Sequence, residues 1–236
     1  MTKIAAIVRR EFVGYFRSPI PYLILTIYLG ASGAFSYLGV ATQGEASLRS
    51  LVPTLSILLV ILSPALTMRL LAEENKSGTL EVLMTDPITE WQLVLGKFFG
   101  SLAFFAILVS VCLLYGVFYE IYGDPDWTPL LWACAGLLLF GSMMIGVGLF
   151  ASSLTRNQVV AYVVAFVALL SFFLVDDVAG MAGGEIAKIG ERIGVQEHID
   201  SFQKGQIDSR DLIYFLSLVT LFLFLTVRVV ESRRWK

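Results

Sequence analysis

Six runs of mainly apolar residues, 22–38, 52–71, 98–119, 130–150, 159–175 and 212–230, divide this chain. An α-helix needs about 20 such residues to cross a hydrocarbon core about 30 Å thick. The runs therefore predict an all-α integral membrane protein with six transmembrane helices. The intervals between them are short, so the pattern predicts one transmembrane domain over 1–236 with no separate soluble unit.

Three polar intervals carry a pattern of their own. In 1–18, Ile4, Ile7, Val8, Phe12, Tyr15 and Phe16 recur at helical spacing, and Lys3, Arg10 and Arg17 fall seven apart on another face. This predicts an amphipathic helix lying in the membrane interface, with Arg9, Arg10 and Arg17 toward lipid headgroups and Phe12 on the apolar side. Ser18-Pro19-Ile20-Pro21 should then break the helix, because neither proline can donate a backbone hydrogen bond.

The second interval, 72–97, opens with Glu73 and Glu74, breaks at Gly78-Thr79, and continues through the apolar residues Leu80, Val82, Leu83 and Met84. Asp86-Pro87 offers an N-cap and a first helical position for a second short helix. Gly96-Lys97 closes the interval at the foot of the third run. Two short helices tied to the ends of two spans form a lever that something outside the membrane can push. The third interval, 179–211, holds Ile186, Ile189 and Ile193 at helical spacing between glycine breaks, predicting short helices at the outer face.

Smaller features refine the spans. Pro64 predicts a kink in span two. Ser142 and Gly146, then Gly148 and Ser152, give span four the small-xxx-small spacing that lets helices approach closely. The hydroxyl-rich turn 152–158 is suited to capping helices, and Asp176-Asp177 reads as the outer boundary of span five. Cys112 and Cys134 read as small packing residues, and His198, the only histidine, has no second ligand near it in sequence, so no metal site is expected.

Charge orients the bundle. With both termini on the inner side, the inner segments hold 12 of the 17 basic residues, and the outer segments hold 12 of the 19 acidic ones. That leaves +5 inside and −7 outside, a separation that predicts N-in, C-in topology. The net charge of −2 gives no reason to expect a nucleic-acid partner. With 57% hydrophobic and 15% charged residues, the composition is that of a membrane bundle.

The chemistry that is missing narrows the function further. No apolar run has a charge near its middle, where one would cost about 2.5–3.5 kcal/mol and usually serves ion coupling. The sequence contains no HExxH, no GxSxG and no GxxxxGK[ST], so neither a protease nor a phosphate-loop ATPase is visible. The chain reads as a non-catalytic subunit that takes its energy from elsewhere.

Four segments resemble the permease subunit of type-2 ATP-binding-cassette (ABC) exporters, and within them the gliding-motility-associated group. They are RREF-GYFRSPI-Y at the first helix, AEENKSGTLEVLMTDPITEWQLVLGKF after span two, GLFASSLTRNQVVAY across the turn after span four, and EHIDSFQKGQIDSRDLIYFLS before span six. The resemblance implies a cytoplasmic coupling loop on which an ATPase subunit docks, with Glu73, Glu74, Gly78, Thr79, Glu81, Pro87, Gly96 and Lys97 at the motif positions. From residue chemistry, Glu73 and Glu74 could pair with basic residues on the docked ATPase, and Leu80, Leu83 and Met84 could fill an apolar groove there. The resemblance further implies two ATPase subunits carrying the ATP and magnesium, so that this chain binds no cofactor directly. It also implies a second permease-type chain, identical or a different subunit with a large extracytoplasmic domain. A rival expectation keeps the lever but drops the cargo: ATP-driven mechanotransmission, or an assembly anchor, acting on an outer partner through 179–211.

Overall fold

A computed structural model of the chain describes residues 3–43, 48–79, 88–122, 127–182, 184, 185, 190, 193–203 and 208–233. The described residues hold nine helices and no strand: α1 Lys3–Phe16, α2 Pro19–Gln43, α3 Leu48–Thr67, α4 Ala72–Ser77, α5 Glu90–Tyr122, α6 Trp127–Leu154, α7 Gln158–Ala182, α8 Gln196–Gln203 and α9 Ser209–Arg233. Six segments, carried by α2, α3 with α4, α5, α6, α7 and α9, are long and apolar enough to cross a membrane.

Helix α6 is the axis of the bundle, packed against α3, α5, α7, α8 and α9. Side chains are buried along most of its length from Leu130 to Ser153. The reason is its lack of bulk. A Cβ placed on Gly148 would lie 2.0 Å from Thr67 Oγ1 of α3, and one on Gly141 would lie 1.9 Å from the Phe105 ring of α5. Lipid tails are as apolar as leucine, so close packing rather than water exclusion holds such helices together. Helices α2 and α7 lie at the periphery. α7 turns Ala161, Ala165 and Leu169 inward and leaves Val159, Val163 and Val167 exposed.

Several boundaries differ from those the apolar runs predict. Helix α5 begins at Glu90, so the expected second short helix is the first turns of span three, and Gly96-Lys97 sits inside a continuous helix. A capping box starts it: the Gln92 N–H donates to Thr89 Oγ1 and the Thr89 N–H to Gln92 Oε1, each at 3.3 Å. The expected Asp86-Pro87 start lies outside the described residues. Span one begins at Pro19, whose missing N–H costs nothing at a first helical position. Helix α3 carries Pro53 and Pro64 and stops at Thr67, with the Met68 N–H still donating to Pro64 O at 2.9 Å. Helix α7 runs past the expected boundary at Asp176-Asp177 to Ala182. There Asp176 Oδ2 accepts the Gln196 N–H at 3.0 Å, so this carboxylate holds the start of α8.

Helix α8 is clamped to the bundle by side chains of α9 and α6. His198 Nδ1 lies 2.5 Å from Asp211 Oδ1, and its ring stacks on Tyr214 with centroids 4.0 Å apart. Phe202 presses on Gly136 of α6, where a Cβ would come within 2.6 Å of Phe202 Cβ. His198 therefore has a structural partner, and no cluster of three metal-ligating side chains exists among the described residues.

Candidate functional site

The part of the bundle with built polar geometry is the elbow where α1, α4 and the start of α5 meet. Gly96 and Gly100 form a small-xxx-small step on α5, and α1 crosses it. A Cβ on Gly96 would lie 2.5 Å from Ile7 Cγ2, and one on Gly100 would lie 2.7 Å from Glu11 Cβ and 3.2 Å from Val8 O. The apolar stripe of α1 is thus spent largely on α5, with Ile7 and Tyr15 buried. Gly100→Leu would force α1 away at an expected cost of about 1–3 kcal/mol. A lowered thermal midpoint in detergent and faster proteolysis within residues 3–16 would report it, while Gly30→Leu, with open space around its Cβ, should change neither.

The close approach brings three elements onto one buried cation. Lys97 Nζ lies 2.8 Å from Glu74 Oε1 of α4 and 3.1 Å from Glu11 Oε1 of α1, and its side chain is only 2% exposed. Arg10 NH2 reaches the same two oxygens from a half-exposed position, Glu11 Oε1 at 3.1 Å and Glu74 Oε1 at 3.4 Å. Two cations face two carboxylates, so the cluster is neutral, and Lys97 is the charge that cannot be left alone. Removing one partner of a buried pair typically costs about 3–5 kcal/mol. Beside it, the Tyr15 hydroxyl sits 2.9 Å from Ser101 Oγ and 3.2 Å from Leu66 O, and Ser101 donates to Lys97 O at 2.9 Å. Burial pushes the Tyr15 pKa up, so the phenol stays a neutral donor.

Helix α4 is held at both ends from outside itself. Its first N–H groups have no side-chain cap of their own. Ser152 of α6 supplies one: its Oγ accepts the N–H groups of Leu71 and Ala72, each at 2.9 Å, and donates to Met68 O at 3.1 Å. Asn75 donates to Thr155 O at 3.3 Å, tying α4 to the turn before α7. Gly78 ends the helix at φ +72°, the left-handed conformation a glycine adopts without penalty. An open cavity of ≈ 360 Å³ lies against the cluster, lined among others by Arg17, Ser18, Arg69, Glu73, Glu74 and Lys97.

The residues singled out in the sequence thus divide. Glu74, Lys97, Gly96, Arg10 and Phe12 belong to this elbow, with Glu74 engaged within the chain rather than held out for a partner. Glu73, Thr79, Arg9 and Arg17 are exposed around it. Leu80, Glu81, Leu83, Met84 and Pro87 lie outside the described residues. Glu11, Gly100 and Ser101 were not singled out, and Tyr15 only as one of the apolar residues of the α1 pattern. Gly96-x-x-x-Gly100 is readable from spacing, but the partnership of Glu11 with Lys97 spans 86 positions and needs the fold.

Residues 23–232 match the family described as ABC-2 family transporter protein. Over 128 residues, 54% of this chain, the sequence is 27% identical to the probable multidrug ABC transporter permease YbhR of Escherichia coli (strain K12). Over 103 residues, 44% of this chain, it is 32% identical to the probable multidrug ABC transporter permease YbhS of the same strain. These alignments cover 33% and 27% of the two relatives, so the chain spans about a third or less of the curated relatives it matches. With nearly the whole bundle inside the family match and its six membrane-length helices, the chain belongs to the ABC-2 family of transporter proteins.

Proposed function

We propose that the chain is the membrane permease subunit of an ABC exporter, moved by a separate cytoplasmic ATPase. It sits in the cytoplasmic membrane with both termini inside, performs no catalysis, and leaves ATP and magnesium to two partner ATPase subunits. A second permease-type chain completes the membrane core, and the resemblance carried by the four segments keeps the gliding-motility-associated group as the finer reading. The observation that carries the proposal is the Lys97 cluster. It joins α4, the foot of span three and α1 into one body, so that a push on the exposed side of α4 cannot be absorbed locally.

Glu73 and Thr79 lie on the exposed side of that elbow and are the contact surface assigned to the ATPase. Because Glu74 balances Lys97, a charge reversal there would break the permease itself, and only Glu73 tests docking cleanly. Glu73→Lys should weaken retention of the ATPase on the tagged permease by up to about fivefold, the range of one exposed ion pair. The thermal midpoint should not move. A Thr79→Cys variant should react with an impermeant maleimide only from the cytoplasmic side. Labelling from the outside, or solute movement driven by an ion gradient with no ATPase present, would overturn the proposal.

A second reading, mechanotransmission to an extracytoplasmic partner without cargo, is favoured by one feature. The outer helix α8 is tied to both α7 and α9 through Asp176 and Asp211, so span movement would reach the outer face. Uptake of a lipophilic dye into inverted vesicles carrying the complex would separate the two readings in favour of export.

A further inference from the structure

The foot of α7 gathers positive charge that nothing in the described chain balances. A cavity of ≈ 520 Å³ lies there, lined by Lys76 of α4 and by Thr155, Arg156, Asn157, Gln158 and Val159. Lys76 and Arg156 are both exposed, and neither forms an ion pair among the described residues. Arg233 adds a third cation close enough to Arg156 for the two to repel, its guanidinium donating to Ser153 O at 2.6 Å. No carboxylate among the described residues lines the cavity. The contrast with the other side of the elbow is sharp, because there Arg10 and Lys97 are matched by Glu11 and Glu74.

The same cavity opens onto an apolar row. Val159 lines it and is 67% exposed, and Val160, Val163, Val164 and Val167 continue along the outside of α7. From Val159 to Val167 is eight residues, about 12 Å at 1.5 Å each, most of the depth of one leaflet. The first polar side chain on that face, Ser171, returns its hydroxyl to Val167 O at 2.8 Å. The turn at the foot is ordered beforehand: Thr155 Oγ1 accepts the Asn157 N–H at 3.1 Å, and Asn157 Oδ1 the Val159 N–H at 2.9 Å.

We infer that this cavity binds the phosphodiester headgroup of an anionic phospholipid of the inner leaflet, with one acyl chain lying along the valine row. Lys76 and Arg156 supply the charge, acting across a cleft that a phosphate fills. The row beneath them explains why the ligand is a lipid and not a free anion: headgroup site and apolar track are continuous through Val159. The inference takes from the proposed function only the cytoplasmic placement of this end. It adds a lipid requirement at the joint between the elbow and span five.

The test uses the full chain with its ATPase, in nanodiscs of phosphatidylcholine and phosphatidylglycerol in equal amounts, with retained lipid counted by native mass spectrometry. Wild type should retain phosphatidylglycerol over phosphatidylcholine by about tenfold or more, the order expected of two juxtamembrane cations. Lys76→Gln with Arg156→Gln should abolish the preference. Arg210→Gln, at the opposite end of the bundle, should preserve it, and Lys76→Arg with Arg156→Lys should rescue it at an unchanged thermal midpoint. Glycerol phosphate should not displace the lipid. Full displacement by glycerol phosphate would make this a free-anion site and overturn the inference. High-yield cross-linking of two Val163→Cys copies without any lipid preference would overturn it too, assigning the row to a second permease. Absence of the lipid preference in wild type with ATPase retained would sink only the lipid site. Loss of ATPase retention in wild type would sink only the proposed function.

Discussion

Lys97→Met should be among the most damaging single substitutions in the chain, lowering stability by about 3–5 kcal/mol. Methionine keeps most of the length and apolar stem of lysine but removes the ammonium group. Glu11 and Glu74, whose Oε1 atoms both lie within 3.1 Å of Nζ, would then confront each other with only the half-exposed Arg10 between them. Like charges at this separation in a poorly hydrated site repel strongly, and α1 and α4 should both loosen. A fall in thermal midpoint and loss of protection from hydrogen exchange in residues 3–16 and 72–77 would register this. The triple variant Lys97→Met, Glu74→Gln, Glu11→Gln separates stability from coupling, because removing the buried charges together is far less costly than removing one, and the remaining Arg10 is half-exposed to water. The triple variant should recover most of the midpoint. ATPase stimulation should nevertheless remain low, since the three elements are no longer fastened to one point. A Lys97→Met single variant with unchanged midpoint and stimulation would show that the cluster holds nothing.

The same cluster shows where reading the chain stops. The six spans were legible because burial in lipid demands long apolar runs, and that demand is local. That residues 3–16 form a helix and that the chain turns at Gly78 were legible for similar reasons: one is a periodicity, the other a backbone conformation that glycine adopts freely. Helix boundaries were less so, because polar residues can extend a helix beyond the apolar core. Glu90, Trp91 and Gln92 do this on α5, under a Thr89-x-x-Gln92 box that spacing alone could have revealed. The partners of charged residues were not legible. Glu74 meets Lys97 across 23 positions and Glu11 meets it across 86, and nothing in either local window favours this pairing over a contact with another protein. The same holds for His198, which looked solitary until the fold placed Asp211 beside it.

Ser152→Ala should produce the second large effect, and it tests whether span four sets the position of the lever. The hydroxyl has three partners on the connection between α3 and α4: the N–H groups of Leu71 and Ala72 and the carbonyl of Met68. Leu71, Ala72 and Ser152 are all fully buried, so water cannot replace what the alanine variant removes. A buried backbone group stripped of its partner costs about 1–3 kcal/mol, and two N–H groups lose theirs at once. Helix α4 has six residues and no cap of its own, so it cannot hold its first turn unaided. Hydrogen exchange at residues 71–75 should therefore accelerate by roughly tenfold to a hundredfold, at about 1.4 kcal/mol per decade. The six spans should remain assembled. Ser153→Ala is the matched control, since its hydroxyl only returns to Phe150 O within its own helix. If α4 transmits the motion of the ATPase, Ser152→Ala should also depress stimulated turnover while leaving ATPase binding through Glu73 measurable. Equal exchange rates in the two alanine variants would mean that the lever takes its position from α1 and Lys97 alone, with span four a bystander.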